Sequence, residues 1–432
     1  MAQVLVQSVR RAAADGVTPN GNTLMRLIST ALASATLLAA MPAFAQSRGP
    51  VETKPPNARG QEPAFAGQTR APQPAQDVGV KTETVADGLP HLWSMEFLPD
   101  GRMLVAAKAG NLYILGKDGK PGEAIDGVPK VDDDGQGGLL DIALAPDFAT
   151  SGTIFFSFSE PRGGGKNGTS VARARLARND AGTSGRLEDV KVIFQQKPAY
   201  DGDKHFGSRL AFAPDGALFV TVGERSDTPI RDRAQDLSYG MGKVFRIEPD
   251  GSVPDDNPFV GDSKAQPEIW SWGHRNLQGA VVAPDGRLWT VEHGPKGGDE
   301  LNHPQAGKNY GWPIITYGID YNGKPIGDGI TKHEGMEQPV YYWDPVIAPS
   351  GMAVYEGDEF PQWRGAILIG GLVARGIVVL RMDGDRVASE ERVPLEARIR
   401  DVKVGPGGAV YAVTETRGGG SSILRLTAAP DA

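Results

Sequence analysis

No cysteine occurs in the 432 residues of the chain, and histidine is scarce at 6. The first absence excludes disulfides, thiolate metal sites, iron–sulfur clusters and a cysteine nucleophile, so any chemistry must use oxygen and nitrogen groups or a bound cofactor. Positive charge is also in deficit, with 45 Lys and Arg against 53 Asp and Glu for a net charge of −8. An acidic surface does not attract nucleic acid or an anionic membrane, and neither is expected as a partner. Nucleotide signatures are missing too. Gly163-Gly164-Gly165-Lys166 is not followed by the Ser or Thr and the helix of a phosphate loop, and no Gly-x-Gly-x-x-Gly joins a strand to a helix. Asp132-Asp133-Asp134-Gly135 lacks the alternating ligands and terminal Glu of a calcium loop and reads as a solvated acidic turn.

What is abundant is turn-forming residues. The 57 Gly and 33 Pro make up about a fifth of the chain, while 40% of residues are hydrophobic. That composition describes a globular protein of many short elements, not a collagen or a disordered chain. At the N-terminus, Arg26 precedes an apolar run from Leu27 to Met41 and small residues at Ala43 and Ala45. This is the layout of a secretory signal peptide cut after Ala45, and the run is shorter than the roughly 20 residues of a membrane span. Residues 1–24 read as an upstream extension, with Met25 a candidate start. Removing 1–45 takes away three arginines and one aspartate and leaves a net charge of −10. Residues 46–78, with Pro50, Pro55, Pro56, Pro63, Pro72 and Pro74 among polar residues, are expected to form a flexible linker.

From 79 to 428 one unit recurs, a short apolar strand, an x-Pro-Asp-Gly turn and a second strand. It occurs at Leu98–Gly101, Ala213–Gly216 and Ala283–Gly286, with weaker copies at Ala145–Phe148 and Gly405–Gly408 and room for one more around Gly357. Proline presets φ for such a turn and glycine accepts the positive φ, so each copy is a hairpin. Six units of 47 residues or more match the four-stranded blades of an all-β, six-bladed propeller of antiparallel sheets. A pair of β-sandwiches is the alternative, and it leaves unexplained why one turn recurs along the whole region. A propeller gathers loops from every blade onto its axis, so site residues should be scattered in sequence.

Four segments combine polar groups that are costly to bury unless they bind something. They are Gly135–Asp141, His205–Leu210, Trp270–Gly279, and Glu292–Asn302 with Lys308–Pro313. Their motifs, Gly-His-Arg-Asn-x-Gln-Gly and Gly-Pro-x-x-Gly-Asp-Glu-x-Asn followed by Asn-Tyr-Gly-Trp-Pro, resemble the soluble quinoprotein aldose sugar dehydrogenases of the glucose/sorbosone dehydrogenase group. The resemblance runs from about 85 to 427. It implies a six-bladed propeller that binds pyrroloquinoline quinone (PQQ) and Ca2+, oxidises aldoses and passes electrons to an acceptor the sequence does not identify.

Residue by residue, the resemblance implies that His205 is the general base and that Arg275, with Asn276, faces the quinone oxygens. Gln136, Tyr321, Gly371, Leu372, Arg398 and Arg400 are implied as further cofactor contacts. Gly294 and Pro295 would offer carbonyls to the calcium beside the cofactor, and Glu300 and Tyr310 would hold a second, structural calcium. Two positions depart from the family pattern. Val373 stands where many relatives have a lysine, with Arg375 two residues on as a candidate substitute, and Lys204 stands where others have a small polar or acidic residue. Two other readings remain, a calcium-dependent propeller hydrolase of the lactonase kind, which needs a cage of Asp, Asn and Glu side chains, and a non-catalytic propeller that serves as a binding module.

Overall fold

In the computed structural model, residues 48–429 except 229 are described. The expected signal peptide, 1–45, and its cut after Ala45 lie outside them. The described chain forms six antiparallel sheets in a ring, each made of strands consecutive in sequence except where the ring closes. The innermost strands are Leu92–Phe97, Leu139–Leu144, Leu210–Phe212, Leu277–Val282, Pro349–Val354 and Arg398–Val404. Each touches the next and the last touches the first, which is the closed ring of a six-bladed propeller. Five blades have four strands. The blade of Leu92–Leu115 has three, and Gly122 and Ile125 donate irregularly to Ile114 and Leu112 where a fourth strand would run. Pro121, which has no N–H to give, interrupts that edge.

Successive residues of a strand point to opposite faces, and in a ring both faces are covered. Accordingly, Leu104 packs toward the second blade and Val105 toward the sixth, while Ile367 packs toward the fourth and Leu368 toward the sixth. Six apolar clusters, one between each pair of neighbouring blades, make up the core. The three full Pro-Asp-Gly turns join first to second strands, each with the glycine N–H donating to the residue three back at 2.8–3.0 Å. Gly101, Gly216 and Gly286 have φ of 82°, 94° and 85° there. The ring is closed by the strand Val80–Leu89, which pairs with Ser421–Ala428 as the outer edge of the sixth blade.

The segment expected as a flexible linker is instead a strap on the ring over residues 48–78. It lacks apolar surface for a core of its own and borrows polar anchors from the propeller. Asp344 accepts from the backbone of Asn57 and Ala58 at 2.9 and 2.8 Å, and the Arg70 guanidinium donates to the Asp344 carbonyl at 2.7 Å. Gln68 is fully buried and donates to the Pro339 carbonyl at 2.9 Å.

On the axis lies an ion cluster that the apolar pattern does not foretell. Arg209 is 3% exposed and reaches Asp141 at 2.9 Å and Asp401 at 3.0 Å, from three different blades. Its Nε donates to the Gln278 carbonyl at 2.7 Å, Leu210 N–H donates to Asp141 at 2.8 Å, and Met95 N–H donates to Asp401 at 3.0 Å. The fifth blade approaches as bare backbone, because a Cβ on Gly351 would lie 1.9 Å from Asp401 Oδ1 and 2.9 Å from an Arg209 nitrogen. Gly351→Ala is therefore expected to cost about 3 kcal/mol or more through overpacking and a displaced buried ion pair. An unchanged denaturant midpoint would show that the axial cluster does not bear on stability.

Candidate functional site

The starts of the innermost strands and the ends of the second strands meet on the face opposite the hairpin turns, and there they enclose a cavity of about 320 Å3. Every blade contributes. The first gives His91, Trp93 and Lys108, the second Gln136 and Leu140, and the third Phe206, Gly207 and Ser208. Asn276, Gln278 and His293 come from the fourth, Ala348 and Leu372 from the fifth, and Arg398, Arg400 and Glu415 from the sixth. Trp93, Leu140 and Phe206 pack into one apolar cluster. Behind it stand two arginines, Arg209 4.2 Å from the Trp93 ring and Arg225 3.9 Å from the Phe206 ring. The cavity thus has a flat apolar floor and a cationic wall, the features a planar polycarboxylate requires.

His205 precedes the floor residue Phe206 and lies beside the cavity without lining it, 6% exposed, in a backbone conformation with φ of 49°. Ser208, three residues on, has φ of 93°. Non-glycine residues in this region store strain, and it is held by partners on both sides. The His205 N–H donates to Gln136 Oε1 at 2.9 Å, and its Nδ1 lies 2.9 Å from Glu224 Oε2. A carboxylate at that distance keeps the proton on Nδ1 and leaves Nε2 as the basic nitrogen. Burial lowers the imidazole's affinity for a second proton and Arg275 adds to this, against the opposing pull of Glu224. Burial raises the Glu224 carboxyl, but His205, Arg275 and the Ser226 N–H outweigh it and hold it below the usual range. The dyad is therefore a neutral imidazole on a buried carboxylate.

Arg275 is 6% exposed and sits between this dyad and the Gly294 loop. Its Nη1 donates to the carbonyls of His293 at 3.0 Å and Gly294 at 2.8 Å, and its Nε, 4.0 Å from Glu224, is buried with no hydrogen-bond partner. Ser208 Oγ is likewise buried and unpartnered. Ser208 lines the main cavity and Arg275 the smaller space next to it, so each holds a polar atom that a ligand or water could satisfy. Asn276 Oδ1 accepts from Gly207 N–H and Gln278 at 3.3 Å each, which leaves its N–H groups uncommitted to those bonds. Arg398 and Arg400 both grip Glu415, with Arg398 Nη2 2.9 Å from its Oε1 and Arg400 Nε 2.6 Å from its Oε2.

Arg275, Gly294, Glu300 and Tyr310 line a second, smaller space next to the first. Asp299 fixes the Gly294 loop, accepting from Gly294 at 2.8 Å and from Ile347 and Ala348 at 2.8 and 2.7 Å. Asn302 bridges Glu292 and Glu300 at 2.9 and 3.0 Å, and burial together with the Glu292 charge pushes the Glu300 carboxyl well up. A cation there would relieve both. The Tyr310 ring is committed to stacking on His274 at 4.7 Å, whereas no backbone N–H among the described residues donates to its carbonyl. Among the described residues no group of three or more His, Asp or Glu side chains is arranged as a metal cage. Calcium at either place would depend on main-chain carbonyls and on the bound ligand.

Three expectations are corrected by the geometry. Tyr321 is 70% exposed on the Asp320–Lys324 turn and is not brought to the cavity. In the tight turn after Gly371, Leu372 lines the cavity while Gly371 is spent on the bend and Val373 is 54% exposed. Arg375, the candidate substitute for a lysine at 373, turns its guanidinium to the Glu396 carbonyl. Glu224 and Arg225 were not singled out from the sequence, where Val-Gly-Glu-Arg has no local pattern. The signal available was two adjacent charges one glycine after a wholly buried strand, Leu218–Val222.

Residues 89–425 match the profile of the Glucose / Sorbosone dehydrogenase family. The chain belongs to that family. It is 43% identical over 347 residues to the aldose sugar dehydrogenase of Escherichia coli (strain K12), covering 79% of this chain and 91% of that one. The apo-form crystal structure of the soluble E. coli aldose sugar dehydrogenase matches with a TM-score of 0.76 at 42% identity, covering 81% of this chain and all of that one. The PQQ-bound aldose sugar dehydrogenase of Streptomyces coelicolor matches with a TM-score of 0.66 at 28% identity, over 81% and 99% of the two chains.

The dyad has a direct test. The His205 imidazole is expected to titrate below the ordinary 6.5, followed by NMR of the apo-protein. Glu224→Gln removes the one strong influence that raises it and should shift it further down. A value at or above 6.5, or an upward shift in the variant, contradicts the dyad.

Proposed function

We propose that the protein is an exported PQQ- and Ca2+-dependent dehydrogenase that oxidises the C1 hydroxyl of aldoses to lactones. The observation that carries the reading is a cavity with a flat apolar floor, lined also by Arg398, Arg400 and the unpartnered Ser208, with a buried His–Glu dyad directly beside it. A PQQ-bound aldose sugar dehydrogenase among the matching structures supports it. PQQ, when bound, supplies an ortho-quinone that accepts a hydride.

The chain's own groups do the rest. Trp93, Leu140 and Phe206 give the ring system a surface, and Arg398 and Arg400 take its carboxylates. His205 Nε2 takes the proton from the sugar's anomeric hydroxyl while Glu224 holds the Nδ1 proton and stabilises the imidazolium. Arg275 Nε and the Asn276 amide are the donors for oxygens on which negative charge grows. The Gly294 and Pro295 carbonyls are hard oxygen ligands suited to Ca2+, and the Gly294 oxygen has a second lone pair beside its bond to Arg275. Export rests on the sequence of residues 25–45. Among the described residues no helix is long and apolar enough to cross a membrane.

A hydrolase reading has one observation in its favour, a serine–imidazole–carboxylate chain. Ser271 Oγ lies 2.9 Å from His274 Nε2, and His274 Nδ1 lies 2.9 Å from Glu292. Both Ser271 and His274 are 0% exposed, and the imidazole is covered by Tyr310. The arrangement is a structural clamp that no substrate reaches, and among the described residues no three His, Asp or Glu side chains gather as a metal site. A pure binding module has no use for a strained, desolvated dyad.

Apo-protein reconstituted with PQQ and Ca2+ is expected to reduce an artificial electron dye in the presence of glucose or other aldoses. His205→Ala should bind PQQ normally and turn over about 100- to 10,000-fold more slowly. Absence of PQQ binding, or no aldose-dependent reduction above apo-protein, overturns the reading. Near-normal turnover of the variant removes His205 from the role of base.

A further inference from the structure

The cations around the main cavity are not equivalent. Arg398 and Arg400 share Glu415, and His91 lies 3.5 Å from the same carboxylate. Burial raises the Glu415 carboxyl, but Arg400, His91 and Arg398 outweigh it and hold it far below the usual range, so it stays charged and offsets one of the two guanidinium charges. Arg275 faces Glu224. Lys108 differs, because it lines the cavity and forms no ion pair within 4.0 Å among the described residues. Its one hydrogen bond is to the Asp133 carbonyl, and an ammonium has three donors.

Its position is fixed by the backbone. Lys108 sits in the hairpin between Met103–Ala107 and Asn111–Leu115, its N–H donating to the His91 carbonyl at 2.8 Å and its carbonyl accepting from Leu139 at 2.9 Å. A Cβ on Gly138 would lie 2.7 Å from Lys108 Cγ, so glycine at 138 makes room for the stem. The first blade adjoins the sixth across the ring closure, and there Lys108 and Arg400 are close enough to repel. Lys108 thus adds to Arg398 and Arg400, on the lining of one cavity, an ammonium in contact with no carboxylate, a place that an anionic oxygen can complete.

We propose that Lys108 is a further ligand-binding residue of the cavity, where its ammonium takes a carboxylate of the bound cofactor together with Arg398 and Arg400. The inference deepens the proposed function and rests on it. It also explains how the site keeps a third cation although residue 373 is valine and Arg375 turns away. Burial lowers the ammonium's hold on its proton, and the carboxylates of the acidic turn Asp132–Asp134 oppose this from beyond contact distance.

The test measures affinity, not turnover. PQQ is titrated into the apo-form of the full chain with excess Ca2+, and binding is followed by the absorbance of the quinone. Lys108→Met is expected to weaken binding about 10- to 100-fold, Lys108→Arg to restore most of it, and the loss to shrink as salt is raised. Thermal unfolding of the apo-variants should match that of the parent, which separates a lost contact from a lost fold. Wild-type protein that fails to bind PQQ overturns the proposed function itself. Wild-type binding with an unchanged constant for Lys108→Met overturns only the role of Lys108 and leaves it a partner of the acidic turn. If Lys108→Met is unstable, Lys108→Gln is measured instead, with the same two outcomes.

Discussion

The arrangement depends on one buried cation. Six wedge-shaped sheets can bury apolar residues against one another, yet such contacts are non-directional and do not fix how the wedges meet at the axis. Arg209 does so by distributing its donors over Asp141, Asp401 and the carbonyls of Gln278 and Arg400. Both aspartates in turn cap backbone N–H groups of neighbouring strands, so five blades converge on the guanidinium and its two carboxylates and the remaining one approaches through Gly351. Buried charges of this kind add little net stability but penalise any arrangement that leaves one unpaired. The consequence here is register, because a blade shifted by a residue would strand a carboxylate.

The same guanidinium lies against the Trp93 ring and so supports the cavity floor from below. A second buried arginine, Arg225, repeats the device. It holds Phe206 from behind, donates to the Lys204 carbonyl at 2.8 Å and to Asn167 at 2.8 Å, and thereby fixes the loop that ends at His205. The strain at His205 and Ser208 is thus matched by interactions within a few ångströms of it. An imidazole kept neutral by burial, oriented by one carboxylate and held by a rigid floor would need no movement to serve as the proposed base, which is the sense in which such a site is preorganised.

Much of this was legible in the sequence, for identifiable reasons. The Pro-Asp-Gly turns carry their own geometry, and their recurrence reports the blade repeat directly. Gln136, His205, Asn276 and Arg400 stand where innermost strands begin, so each lies in a compact polar motif followed by an apolar run, and such motifs are visible locally. What escaped depends on distant partners. The strap looked like a linker because its anchors, Asp344 and Gln338 among them, lie more than 250 residues away. Tyr321 was implied as a ligand by the resemblance alone, which does not say which way the ring faces. Two members of the axial cluster, Asp141 and Arg209, lay inside the segments singled out, and the third, Asp401, directly follows Arg400, yet only the closed ring brings those charges together. A charged residue set directly against apolar strand positions, as in Leu140-Asp141-Ile142 and Arg209-Leu210, is the trace such a cluster leaves.

The proposed reaction is removal of a hydride from C1 of an aldose beside His205. It is tested most directly by anaerobic single-turnover mixing of the PQQ- and Ca2+-loaded protein with glucose and with glucose deuterated at C1, following the quinone absorbance. The account predicts a sugar-dependent absorbance change that is several-fold slower with deuterium and is nearly abolished in His205→Ala. Equal rates with hydrogen and deuterium, or no sugar-dependent change in a protein shown to hold PQQ, would contradict it.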